Sequence, residues 1–206
     1  MNDLATFLQI DLQTLFYEAR SQGQKLDFEK IWNYFHSRES ESLIGSYIYM
    51  VRSEEMDSQK FENKLQTLGY KIVAKTAQMK DGLPVYRGVR HDINITMDCL
   101  DKLDLFDKWI LMSTNEGFAD LCKYLRSKGK KVELWNFKTT YSSKLEAHAD
   151  KLNFIGEDFF YKKPRVTVFG FNTDPSGISR SVPTLEDEYG LRNRSSRIPT
   201  PDPEDQ

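Results

Sequence analysis

Cysteine is nearly missing from this chain, with only Cys99 and Cys122 among 206 residues. Both sit in apolar helical patterns, so they read as buried free thiols and exclude a disulfide framework. Long hydrophobic runs are also missing. None approaches the ~20 apolar residues that span a bilayer, which excludes a membrane-spanning helix. The opening MNDLATFLQID lacks both the basic start and the apolar core of a signal peptide. A soluble, cytoplasmic protein with no membrane association is the expectation. Nor does one sign of charge dominate. Lys and Arg number 29 against 31 Asp and Glu, a net charge of −2, so any site for a polyanion must be a local patch. Phosphate-cradling glycine motifs of the P-loop or G-x-G-x-x-G type do not occur. No Ser or Cys nucleophile constellation is visible, and the chain has no internal repeat. The three histidines, His36, His91 and His148, share no metal-ligand spacing, although His91 borders the acids discussed below.

Against these absences stands a substantial apolar content, 39% hydrophobic and 13% aromatic. That is enough core for one ordinary domain. The pattern alternates. TFLQI (residues 6–10) reads as a strand ending at Asp11. Helical patterns follow over 12–22 and 28–38, the second with Phe28, Ile31, Trp32 and Phe35 at helical spacing behind Asp27 as N-cap. SYIYMV (46–51) is a buried strand, and a helix capped by Ser53 runs to Gly69. YKIVA (70–74) is the next strand, and 77–90 is a loop or hairpin around Asp81-Gly82 and Pro84. A helix over 92–103, a strand over 108–112, a helix over 116–128, a strand over 132–135, a short helix over 142–149 and a strand over 152–155 complete the series. Such alternation predicts an α/β fold: a Rossmann-like, three-layer domain over 1–160 with a mostly parallel central sheet and helices on both faces. Arg165 to Phe171 (RVTVFGF) alternates like an extra edge strand within 161–172. Residues 173–206, rich in Pro, Ser, Gly and charge, read as a disordered or partner-binding tail.

In parallel sheets, sites lie beyond the carboxyl ends of the strands. Acids recur at those places: Asp11, the pair Asp92 and Asp98, and Glu116 in the turn STNEG (113–117). Gathered carboxylates can hold Mg²⁺ or Mn²⁺, which prefer oxygen ligands and activate water against a phosphodiester. Scattered acids are also the ordinary dress of a solvated surface. Ser113-Thr114-Asn115-Glu116 fits the capping box S-x-x-E, in which Ser113 caps the helix and Glu116 bonds back to the Ser113 amide. Asp92 is equally placed to be an N-cap or a site residue. Asp98, amid Ile95, Met97, Cys99 and Leu100, needs a partner or solvent. Asp150 reads as a structural cap of the last strand. Lys71, Lys75, Lys80, Arg87 and Arg90 surround Tyr86, a set able to hold phosphates and stack a base, or to form a solvated charged loop. Lys123, Arg126, Lys128, Lys130 and Lys131 form a second basic stretch around a helix C-terminus, where cations are expected anyway.

The order of several motifs adds a resemblance. The chain resembles the NYN family of PIN-like nucleases, in its LabA-like branch. Ile10-Asp11-Leu12-Gln13-Thr14-Leu15-Phe16 stands where the family has I-D-G-x-N-L-F. Tyr47-Ile48-Tyr49 is followed, after a helix, by Gly69-Tyr70-Lys71-Ile72-Val73-Ala74-Lys75. Arg90 to Asp98 matches K-x-x-D-V-x-I-A-x-D, and Phe106 to Ser113 matches the strand before S-G-D-x-D-F. Gly129 to Leu134 and Leu145 to Asp150 match G-x-x-V-x-V and L-x-x-x-A-D. The resemblance covers about residues 5–160 and implies a PIN-like fold, a divalent metal (Mg or Mn) in an acidic pocket, and endonucleolytic cleavage of RNA. Carried over residue by residue, it assigns Asp11, Asp92 and Asp98 to catalysis with Asn115 or Glu116 assisting, and metal to Asp11, Asp98 and Asn115. Lys75, Lys80, Tyr86, Arg87 and Arg90 are the nucleic-acid contacts at the predicted mouth. The departures are Leu12 for Gly, Thr14 for Asn, Thr114 for Gly, Asn115 for the first Asp of S-G-D-x-D and Gly117 for the second. Asn115 offers a carbonyl oxygen without charge, and Gly117 offers no donor. The expectation is a degenerate NYN domain that binds RNA or a protein partner with weak or lost nuclease activity. The alternatives are an active Mg/Mn-dependent endoribonuclease, or a non-enzymatic assembly factor working through residues 173–206.

Overall fold

A computed structural model describes residues 3–52, 58–80, 83–85 and 89–162. Six parallel strands form the central sheet: β1 (Leu4–Asp11), β2 (Glu41–Arg52), β3 (Lys71–Thr76), β6 (Lys108–Met112), β7 (Lys131–Asn136) and β8 (Lys151–Phe154). Their spatial order is β3-β2-β1-β6-β7-β8. Between β3 and β6 the chain inserts a small antiparallel hairpin, β4 (Gln78–Lys80) and β5 (Leu83–Val85). The helices are α1 (Leu12–Ser21), α2 (Phe28–His36), α3 (Ser58–Leu68), α4 (Asp92–Asp101), α5 (Ala119–Ser127) and α6 (Ser143–Glu146). The strand order reverses between β1 and β6. That reversal opens a crevice at their carboxyl ends, where open α/β sheets bind ligands.

The apolar side chains explain the three layers. Leu8, Ile10, Ile48, Met50, Ile110 and Met112 point to one face of the sheet and meet α1, α2 and α3 through Leu15, Ile31, Phe35 and Leu65. Phe7, Tyr49, Trp109, Leu111, Val132 and Leu134 point to the other, against Ile95 and Cys99 of α4 and Cys122 and Leu125 of α5. The inner strands β1, β2, β6 and β7 thus bury both faces, which is why such strands read as nearly continuous hydrophobic runs. Cys99 and Cys122 are both buried free thiols, as expected, and burial pushes both thiols well up from their ordinary range. Gly69 ends α3 at φ +105°, and a Cβ there would come within 2.5 Å of the Trp32 ring. Handedness and packing both demand glycine at that point.

Most predicted elements are present with shifted ends. The largest difference is β2, which starts at Glu41 rather than near Ser46 and pairs with β1 from its first residue. Its first half carries little of the apolar run. It is held instead by an ion network at the amino ends of the strands: Arg38 pairs with Glu133 at 2.7 Å and Glu41 at 3.1 Å, and Lys108 pairs with Glu41 at 2.8 Å and also with Glu133. The predicted helix over 116–128 splits into a 3-10 turn, Glu116–Phe118, followed by α5. Asp150 has the structural role expected of it, accepting from the Val132 amide at 2.8 Å and pairing with Arg126 at 3.2 Å. The predicted extra strand and the tail over 173–206 lie outside the described residues. Among the described residues, no helix is long and apolar enough to cross a membrane.

Candidate functional site

Asp11 closes β1 and caps α1, and the residue is 3% exposed. Three local contacts hold it. Ser113 Oγ, one residue past the end of β6, donates to Asp11 Oδ2 at 2.9 Å. The Thr14 amide donates to Oδ1 at 3.4 Å, and Thr14 Oγ1 donates to the Asp11 carbonyl at 3.3 Å. Thr14 Oγ1 also accepts from the Thr114 amide at 3.3 Å. One threonine therefore ties the β1–α1 turn to the β6–α5 turn. Leu12, the other departure in the first motif, is buried in the core under α1. Burial pushes the Asp11 carboxyl above the ordinary carboxylate range against the Ser113 and Thr14 hydrogen bonds, and Asp92 nearby adds to the rise.

A cleft of about 360 Å³ opens over this junction, lined by Asp11, Gln13, Thr14, Tyr17, Val89, Arg90, Asp92 and Asn115. Asp92 stands in the first turn of α4 and pairs with the Arg90 guanidinium at 2.5 Å. Arg90 is well exposed, and its carbonyl accepts from Lys75 Nζ at 2.6 Å. Two of the predicted cationic residues, Lys75 and Arg90, are thereby gathered at one rim. Lys80 closes β4, while Tyr86 and Arg87 fall outside the described residues. The second basic stretch is elsewhere. Lys131 begins β7, at the end of the sheet away from the cleft.

The sequence-predicted acids do not all meet. Asp11 and Asp92 share the cleft with Asn115, but Asp98 is not among its lining residues. Asp98 instead ends a buried polar chain. Trp109 Nε1 donates to Gln9 Oε1 at 2.6 Å, Gln9 Nε2 donates to Tyr49 Oη at 2.5 Å, and Tyr49 Oη donates to Asp98 Oδ2 at 2.8 Å. Lys102 approaches the other oxygen at 3.8 Å. The partner that an acid in an apolar helix needs is thus a tyrosine. Burial first, then the Asp98 contact, raise the Tyr49 phenol far above its ordinary range, so Tyr49 is a fixed donor.

The STNEG turn is not the capping box that its letters suggest. Ser113 Oγ faces Asp11 and accepts from the Asn115 amide at 3.1 Å. Asn115 is the residue that caps, its Oδ1 accepting from the Gly117 amide at 3.0 Å. Glu116 is exposed and turned toward α6, where its carboxylate accepts from Ser142 Oγ at 3.3 Å. The Ser113 amide is already committed to the Trp135 carbonyl at 3.1 Å, so no back-bond from Glu116 is available. His91 is buried, donates from Nε2 to the Met50 carbonyl at 2.7 Å, and leaves Nδ1 without a partner. Burial lowers its pKa, which keeps the ring neutral.

The donors as they stand do not fit a hard divalent cation. Among the described residues, no three His, Cys, Asp or Glu side chains gather closely enough to hold one ion. Asn115 Oδ1 is occupied by a backbone amide, Gly117 has no side chain, and Arg90 neutralises Asp92. Sequence reasoning also missed several lining residues: Gln13, Thr14, Tyr17, Val89 and the Ser113 bridge. Gln13 and Tyr17 were detectable, because they recur four residues apart on the helix that follows the acid-bearing strand.

Comparison with known proteins agrees with this architecture. A curated relative, the low amplitude and bright protein LabA of Synechococcus elongatus, is 27% identical over 125 residues, covering 58% of this chain and 66% of that protein. The chain therefore spans just under two thirds of that relative's length. A crystal structure of a protein of unknown function from Vibrio parahaemolyticus superimposes with a TM-score of 0.68 at 23% identity, over 78% of this chain and 98% of that one. This likeness supports the fold alone. The NYN domain model matches residues 5–156, so the chain belongs to the NYN domain family.

Proposed function

We propose that this chain is a pseudo-nuclease: an NYN domain that binds single-stranded RNA across the Asp11–Arg90 cleft without metal-dependent cleavage. The observation that carries this reading is the 2.5 Å ion pair between Arg90 and Asp92. A cation thus meets one of the acids that the family resemblance assigns to catalysis. Asp11 supports the reading too, because desolvation disfavours its charged form and its oxygens are held by Ser113 and Thr14. The exposed guanidinium of Arg90 and the ammonium of Lys75 give the rim two cations for backbone phosphates, which suits salt-sensitive binding. The tail over 173–206 adds a segment for a protein partner.

A second reading, an active endoribonuclease, draws on one feature: Asp11, Asp92 and Asn115 still line a single cleft. Incubation of end-labelled single-stranded RNA with the full chain and Mn²⁺, beside Asp11→Asn, separates the two. Salt-sensitive binding without cleavage is the expected result. Cleavage that disappears in Asp11→Asn would establish the nuclease instead. Neither binding nor cleavage, with a protein captured through residues 173–206, would leave an assembly role.

A further inference from the structure

The α1 wall of the cleft has a chemistry unlike its Arg90 wall. Leu12, Leu15 and Ala19 turn one face of α1 into the core. Gln13, Tyr17 and Arg20 follow one another at i, i+4 and i+7 on the opposite face, which makes them a single stripe. Gln13 and Tyr17 line the cleft beside Asp11, Thr14 and Asn115. Tyr17 is 48% exposed, and the Phe16 ring meets it edge-on at 5.7 Å and 74°, fixing its plane. Arg20 is exposed one turn further along. Glu18, the acid on this helix, is held by Thr139 and Gln22, away from the stripe.

We infer that Gln13, Tyr17 and Arg20 form a nucleotide subsite, which stacks one nucleobase of a single-stranded RNA on Tyr17 and takes the following phosphate on Arg20. The inference rests on the RNA reading above and deepens it. An exposed aromatic face beside a cationic rim is the arrangement that binds single strands, because every base has a π-face. The phosphodiester runs along the Arg90 and Lys75 rim, where the cations of the cleft stand. The base then turns toward α1, where the lining groups Gln13, Thr14 and Asn115 are polar but uncharged. The Gln13 amide presents both a donor and an acceptor to the base edge.

Fluorescence anisotropy with a fluorescein-labelled oligouridine of roughly 12 nucleotides, and with an abasic oligomer of the same length, tests this on the full chain. Tyr17→Ala is expected to weaken oligouridine binding about tenfold and abasic binding less than about twofold, with Tyr17→Phe restoring the first. Arg90→Ala is expected to weaken both oligomers equally. Because Tyr17 is half-exposed, its alanine variant should melt like the parent, which confirms an intact fold. An unchanged oligouridine affinity in Tyr17→Ala, or an equal loss on both oligomers, would overturn the subsite while leaving the RNA reading intact. Failure of the parent chain to bind either oligomer would overturn both.

Discussion

Ser113 Oγ donates to Asp11 Oδ2 at 2.9 Å, and this bond joins the carboxyl ends of β1 and β6 at the point where the strand order reverses. Two residues separated by 102 positions thereby close the floor of the cleft. The contact stabilises a carboxylate that burial otherwise disfavours, and it does so with a neutral hydroxyl rather than a cation.

Replacing that acid has a signed consequence. Asp11 has a folded pKa raised above its unfolded value of 3.8, mainly by desolvation. In the window between those values the folded state binds more protons than the unfolded state, so stability falls as pH rises through it. Above the window the buried charge is a standing cost. Asp11→Asn removes the charge and keeps the shape, and should raise stability at neutral pH but not at pH below 3.8. Paired thermal melts at the two pH values read this directly. A lower melting temperature at neutral pH would show that the Ser113 bond outweighs the desolvation.

Placing carboxylates in the β6–α5 turn should create an ion site. Asn115→Asp with Gly117→Asp supplies two negative charges, one at a position that lines the cleft with Asp11 and Asp92 and one two residues further along the same turn. A Cβ at Gly117 would lie 3.1 Å from Asn115 Oδ1, so the turn must give slightly, and like charges favour a cation between them. Titration calorimetry with Mn²⁺ should show binding at least about tenfold tighter in the double variant than in the parent, about 1.4 kcal/mol. Equal heats in both would place the metal pocket of the family's nucleases elsewhere.

At the other end of the strands, Glu133 is buried between Arg38 and Lys108. Desolvation alone would raise its carboxyl, but the hydrogen bonds and charges of Arg38 and Lys108 prevail and hold it at about 2. Its folded pKa is therefore depressed, so its contribution is present above the unfolded value of 4.5 and is lost as pH falls toward about 2. Glu133→Gln leaves two largely buried cations short of a partner, and should cost about 3 kcal/mol in urea denaturation at pH 7. The loss should shrink in acid. A change within about 0.5 kcal/mol would mean that Glu41 alone satisfies both cations.

Tyr49 is the only phenol in the chain from Trp109 through Gln9 to Asp98. Tyr49→Phe removes the donor to Asp98 and one acceptor of Gln9, which keeps its bond to the Ile95 carbonyl. Denaturation should report a loss of about 1 kcal/mol. RNA binding should be unchanged, because Asp98 stands outside the cleft. Weakened binding in Tyr49→Phe would bring Asp98 back into the site.

The residues of the strands and helices were legible because their patterns are local. A parallel strand buried on both faces is a short apolar run, and WILM (109–112) or SYIYM (46–50) announces itself without knowledge of its neighbours. The front half of β2 escaped for the complementary reason. Glu41, Ser42 and Gly45 carry no apolar signal, and Glu41 anchors this half of the strand to Arg38 from the preceding loop and to Lys108 of β6, which also pairs with Glu133 of β7. Asp11 was identifiable as the acid closing the first strand, and the departures at Asn115 and Gly117 were visible as letters.

Which groups those letters touch is a different matter. Ser113 and Glu116 fit a capping box in one dimension, yet the box fails because Trp135 takes the Ser113 amide and Asp11 takes its hydroxyl. Asp98 was read as a site acid that needs a partner, and that partner is Tyr49, 49 positions away, while the cleft is lined without Asp98. The sequence by itself determined the parallel α/β architecture, the family and the identity of Asn115 and Gly117 in the turn, since these depend on periodicity and on residue identity. Only the tertiary structure decided which acids share a cleft, which are tied up, and that Arg90 meets Asp92 across from Tyr17. Hydrogen bonds and ion pairs act over a few ångströms, between residues that the chain brings together only after it folds.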